Sequence, residues 1–223
     1  MRRSRYRLSL KPERVAYWYL RLNGFLQFEN FIVHPDRSGS QRTDADLIGV
    51  RLRYREEFAL TCRETMVDDE QLRLSPEFDD VVITEVATNQ ACKLNGPWTS
   101  PEHQNVHRVL FAIGCLRHAD INEAAERIYD DGIAIFGNTR IRLVAIGRDR
   151  SPELEERYGE VLQLTWDDVL GFIWGRFDRY RREKSDVGQW DDCGRALKAL
   201  ADHCNRDAFV LEAKNSMGVR QSR

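Results

Sequence analysis

The sequence predicts an α/β fold, a mixed central sheet flanked by helices with a helical C-terminal extension. Three observations predict it. Runs rich in aromatic and β-branched residues fall at 25–34, 46–52, 80–86, 133–136, 141–146 and 161–164. Between them apolar residues recur at helical spacing, first at Val15, Trp18, Tyr19 and Leu22. The run Asp80-Val81-Val82-Ile83-Thr84-Glu85-Val86 is apolar almost throughout, as in a central strand buried on both faces.

Taken in order, Pro12 suits a first helical position, and Asn23-Gly24 stops the helix it opens. Phe25 to His34 reads as a strand, Pro35 to Ser40 as a loop, and Asp46 to Leu52 as a second strand. The polar stretch 53–77 reads as loop with a short helix. After the strand 80–86 and the turn Asn95-Gly96-Pro97-Trp98, Ser100-Pro101 looks like a cap and first-turn proline for a helix to about His118. Asp120 with Glu123 suggests another helix start, ending near Gly132. Ile133–Phe136 and Ile141–Ile146 read as a hairpin. Val161–Leu164 is a short strand, after which Thr165 and Asp168 look like a cap and its partner three residues on. They open a long helix with Val169, Phe172, Ile173, Phe177 and Tyr180 on one face. A final helix spans about 191–204, and the tail after Leu211 is expected to be mobile. The domain division is a basic arm at 1–11, a core at 12–164 and a helical extension with tail at 165–223.

At 223 residues, with 42% hydrophobic and 31% charged, the composition is that of an ordinary globular chain. The net charge of −2 gives no general attraction to polyanions. Two basic clusters stand out, one from Arg2 to Arg14 and one comprising Arg176, Arg179, Arg181, Arg182 and Lys184. Each suits phosphate neutralisation or, equally, a solvated surface. The five cysteines (Cys62, Cys92, Cys115, Cys193, Cys204) lack CxxC spacing, so neither a disulfide framework nor a zinc site follows. With no apolar stretch of membrane-spanning length and no secretory h-region, a cytoplasmic protein without membrane contact is expected.

Two carboxylates carry the chemical expectation. Asp46 directly precedes the apolar run Leu47-Ile48-Gly49-Val50, and Glu85 sits inside the most apolar strand. A carboxylate in such a strand must be paired, hydrogen-bonded or metal-bound. Either one alone is also compatible with a solvated strand face. On adjacent strands, with a backbone carbonyl and waters, the two would form an oxygen site suited to Mg²⁺ or Mn²⁺.

The segments Thr43-Asp44-Ala45-Asp46-Leu47-Ile48-Gly49-Val50 and Ile83-Thr84-Glu85-Val86-Ala87-Thr88 resemble the two motif strands of the PD-(D/E)xK, restriction-endonuclease-like nuclease superfamily. The resemblance covers about residues 12–147. It implies Asp46, Glu85 and the carbonyl of Val86 as metal ligands, and Mg²⁺ or Mn²⁺ as cofactor. It suggests Glu13 as an extra acidic residue from the preceding helix, with Gln90 and Asp44 as second-tier or substrate contacts. Asn95 and Trp98 are candidates to shape a substrate groove; a rigid turn anchored by a buried Trp98 is the alternative. The chain departs from the pattern at Ala87, where the family has the lysine that orients the attacking water. An inactivating substitution, a relocated lysine at Lys93 and a pseudonuclease that binds without cutting are the three explanations.

On this resemblance the expected activity is Mg²⁺-dependent endonucleolytic hydrolysis of DNA, or RNA as the lesser choice, disabled by Ala87. By analogy the expected setting is an effector of bacterial anti-phage defence, acting as a homo-oligomer or with a partner protein such as an ATPase. The rival expectation is a non-catalytic binding or assembly subunit. The His103/His107 pair lacks the third ligand of a zinc site, and Tyr17, Trp18 and Tyr19 are expected mainly in the core. No Walker loop, GxGxxG turn or serine or cysteine nucleophile motif is present.

Overall fold

The computed structural model describes residues 10–33, 43–57 and 65–220. The basic arm up to residue 9, the loop 35–40 and Cys62 lie outside the described residues.

Helix α1 (Pro12–Leu22) starts at a proline, whose fixed φ and missing N–H suit the first turn. It ends at Asn23, after which Gly24 adopts φ 81. Strand β1 (Leu26–Val33) pairs antiparallel with β2 (Thr43–Arg51), and β2 pairs antiparallel with β3 (Asp79–Val86). Three helices follow: α2 (Gly96–Thr99), α3 (Asn105–Ile113) and α4 (Ile121–Asp131). They return the chain to the hairpin of β4 (Ile133–Phe136) and β5 (Thr139–Gly147). β5 runs parallel to β3, in register from Asp79↔Thr139 to Val86↔Ile146. Helix α5 (Pro152–Arg157) leads to β6 (Leu162–Thr165), parallel to the second half of β5. The chain closes with α6 (Trp166–Arg179), α7 (Asp192–His203) and α8 (Arg206–Met217). The result is a six-stranded mixed sheet of order β1-β2-β3-β5-β4, with β6 also on β5. Helices flank both faces, an α/β architecture with β3 inside it, as its apolar run implies.

Alternation along the strands divides the interior. Leu47, Val82, Val144 and Ile146 face α1, α6, α7 and α8 in one core. Val81, Ile83, Leu143 and Ala145 face α3 and α4 in the other. The helices after Thr165 therefore complete a layer with α1 rather than extend away from the body. The segment beyond Leu211 is not a loose tail: α8 continues to Met217, with Phe209, Val210, Ala213 and Met217 buried. Among the described residues no helix is long and apolar enough to cross a membrane.

Other expectations change in detail. The helix expected from Ser100 to His118 is broken. Gln104 takes a left-handed φ of 54, and Gly114, also left-handed, closes α3. Ser100 makes no side-chain cap. Asp120 does not cap α4 either, because its carboxylate is held by Arg117. Thr165 and Asp168 do form a reciprocal capping box for α6. The second basic cluster is not one solvated face. Arg176 is only 3% exposed and donates to the Val67 carbonyl at 2.7 Å, and Lys184 pairs with Glu57 at 2.6 Å.

At the other end of the sheet from Glu85, the buried carboxylate of Asp80 receives Arg140 Nε at 2.7 Å and an Arg142 Nη at 3.0 Å. Burial, the main cause, lowers the Arg142 guanidinium pKa to about 10 despite Asp80 beside it.

Candidate functional site

The site begins with an irregularity in β2. In a regular strand Ala45 and Leu47, two residues apart, would share a face. Instead Leu47 belongs to the α1 side and Ala45 to the α3–α4 side, so the strand changes face at Asp46. The partner strand changes there too. Between the pairs Glu29↔Leu47 and Phe31↔Ala45 lies Asn30, with φ 49, a left-handed conformation that asparagine tolerates better than most residues.

The change of face coincides with the end of the β2–β3 ladder. Its last pair is Leu47↔Thr84, while β2 stays paired with β1 as far as Val33↔Thr43. One step past that last pair stand Asp46 and Glu85. Asp46 Oδ2 accepts the Val86 N–H at 2.8 Å, taking the place of a ladder carbonyl. A strand residue's N–H and C=O point to the same side, so the Val86 carbonyl also faces the parting from β2. Ala87 points its N–H the opposite way, to the Ile146 carbonyl on β5 at 2.8 Å.

Glu85 is 5% exposed and lies on the α3–α4 side, in step with Val81 and Ile83. Its carboxylate oxygens accept from two side chains of the turn that follows: Oε2 from the Asn95 side-chain amide, Oε1 from the Trp98 indole N–H. This is how a charged group is accommodated in the most apolar strand. Trp98 is 0% exposed, so its ring offers no face to a base; of the two expectations for it, the anchored turn is the one found.

The loop after β3 is pinned on several sides. The Trp166 indole N–H donates to the carbonyls of Ala87 (3.1 Å) and Thr88 (3.2 Å). The Gln90 carbonyl accepts from Arg148 N, and Cys92 N donates to the Asp149 carbonyl, both at 2.7 Å. Asn89 clamps the end of the fold, donating to the Gly218 carbonyl at 3.0 Å and accepting from Arg220 N at 2.7 Å. The Cys92 thiol is buried, which pushes its pKa up to about 11.

The remaining candidates are dispersed. The Gln90 side chain and Lys93 are exposed. Glu13 is in the first turn of α1, on the opposite face of the sheet from Glu85. Asp44 lies in β2, opposite Ile32. His103 and His107 fall at α3 and the turn before it, and burial lowers the His107 pKa. Among the described residues no group of three or more histidines, cysteines, aspartates or glutamates is placed to hold a metal ion. Any ion at this site would rest on Asp46, Glu85 and the Val86 carbonyl, an all-oxygen set of the kind Mg²⁺ and Mn²⁺ take. A cavity of about 340 Å³ lined by Asp167, Arg206, Val210 and Lys214 is separate, since neither Asp46 nor Glu85 borders it.

No family model, curated protein or solved structure matches this chain.

Proposed function

We propose that the chain is a metal-dependent phosphodiesterase of restriction-endonuclease-like architecture that acts on DNA, with Ala87 standing where the active form carries lysine. The observation that carries this reading is the parting of β2 from β3 at Asp46. A carboxylate stands in the gap, beside a strand carbonyl and at the register position opposite a second carboxylate. The element order supports it further: a helix, a three-strand antiparallel meander, helices, then a hairpin whose second strand runs parallel to the third. Asp46 and Glu85 would hold Mg²⁺ or Mn²⁺ with the Val86 carbonyl. Such an ion, when bound, acidifies water and stabilises charge on a phosphodiester. The chain's own residues supply the rigid frame, because the strand ends and the loop from Ala87 to Cys92 are fixed by main-chain and indole hydrogen bonds.

A second reading is a non-catalytic binding or assembly subunit. It is favoured by Ala87, which has no ammonium to offer. Plasmid cleavage with Mg²⁺ and Mn²⁺ separates the two. Under the first reading Ala87→Lys cuts, and adding Glu85→Ala abolishes cutting. If neither the parent chain nor Ala87→Lys cuts, and Mn²⁺ does not raise the melting temperature of either, the phosphodiesterase reading is wrong.

A further inference from the structure

We infer that Asn95 and Trp98 are positioning residues that fix the Glu85 carboxylate for a divalent cation; the inference rests on the metal-site reading above. Donors at both oxygens fix the position and the rotation of the carboxylate plane. Both donors come from one short unit. Trp98 N donates to the Asn95 carbonyl at 3.0 Å, Pro97 restricts the backbone between them, and Asn105 Nδ2 donates to the Pro97 carbonyl at 3.3 Å. Trp98 is packed in the same core as Ile83, Val106, Val109 and Leu110, so its indole N–H has little freedom to leave Glu85. The α3–α4 layer thereby sets the geometry of a side chain on the sheet. Groups that orient a metal ligand in this way typically matter about 10–100-fold in metal affinity.

Merely docking the turn onto the sheet would need the same hydrogen bonds but would not make metal affinity depend on them. The test is Mn²⁺ titration of the full chain followed by electron paramagnetic resonance of the free ion. It compares the parent with Asn95→Ala, Trp98→Phe, Glu85→Ala and Asn95→Ala/Glu85→Ala, with circular dichroism to verify folding. The expected result is about 10–100-fold weaker binding for Trp98→Phe and a smaller loss for Asn95→Ala. Asn95→Ala should have no further effect once Glu85 is alanine. Asn95 is exposed, so its variant decides the matter should Trp98→Phe fail to fold. If both donor variants bind Mn²⁺ like the parent while Glu85→Ala does not, the positioning role is overturned and the metal site stands. If the parent binds no Mn²⁺, the metal site and the positioning role both fall.

Discussion

Asp46 Oδ2 and Val86 N are 2.8 Å apart, so a side chain closes a gap that main chain closes elsewhere between β2 and β3. A test of stability follows that is independent of catalysis. Asn at 46 keeps an oxygen acceptor for Val86 N–H and should fold with nearly parental stability. Asp46→Ala leaves that donor without its partner and should lose about 1–3 kcal/mol in urea unfolding. Equal stabilities for the two variants would mean the bond contributes nothing. On the metal-site reading, neither variant should gain stability from Mn²⁺.

Asp80 holds two arginines at a fully buried position. Replacing it by Asn leaves the buried Arg142 guanidinium without a carboxylate and takes the same partner from the less buried Arg140, so a loss of about 3–5 kcal/mol is expected. Adding Arg142→Met to Asp80→Asn should return part of that loss, because the uncompensated cation is then gone. Denaturant titration of the two single variants and the double variant measures the coupling. Strict additivity would show that Asp80 and Arg142 do not depend on each other.

Gly147 ends β5 against the loop that follows β3. A Cβ there would stand 2.5 Å from Cys92 N and 2.8 Å from the Ala91 carbonyl carbon, both main-chain atoms that cannot swing aside. Gly147→Ala should therefore destabilise by at least about 1–3 kcal/mol, the usual range for overpacking. Hydrogen exchange should quicken at Cys92 N, whose bond to the Asp149 carbonyl would be strained. A parental exchange rate in a stable variant would contradict this.

The Cys92 and Cys193 thiols are pushed up to about 11 and about 12, chiefly by burial. Their folded pKa values exceed the ordinary one, so the native state holds these protons more tightly than the unfolded chain does. The associated stability is fully present below about pH 9, the ordinary value, and is lost as pH rises through about 11. At pH 8 both cysteines should react with a disulfide reagent far more slowly than in urea. Rapid labelling of Cys92 in the folded chain would contradict its burial.

The parts of the fold most legible in the sequence are those set by local chemistry. β3 is marked by an apolar run long enough for a doubly covered strand, α1 by Pro12 and Asn23-Gly24, and α6 by its Thr165–Asp168 box. Less was legible where tertiary packing overrides the local signal. Ala45 and Leu47 look alike in a period-two pattern, yet they face opposite cores. Arg176 reads as a surface cation, but Val67 and Asp68 draw it inside. The residues Glu212 to Ser216 are polar enough to suggest a tail, while Ala213 and Met217 beside and among them hold α8 against the core. At the site, Asp46 and Glu85 were marked by charge within apolar strands. Asn95 and Trp98 read in the sequence as a groove or as an anchored turn, and only the three-dimensional structure places them on Glu85. A carboxylate that must be satisfied inside a strand, followed ten residues later by a side-chain amide, was the available signal.

The two hydrogen bonds of Asn89 join positions 129 and 131 residues apart in the chain. A growing polypeptide emerges from its N-terminal side first. β1, β2 and β3 are thus available to pair long before Gly218 and Arg220 exist to meet Asn89. The stretch from Ala87 to Cys92 acquires its full set of anchors only when translation has passed residue 220, so assembly of this corner of the molecule is one of the late events in the birth of the protein.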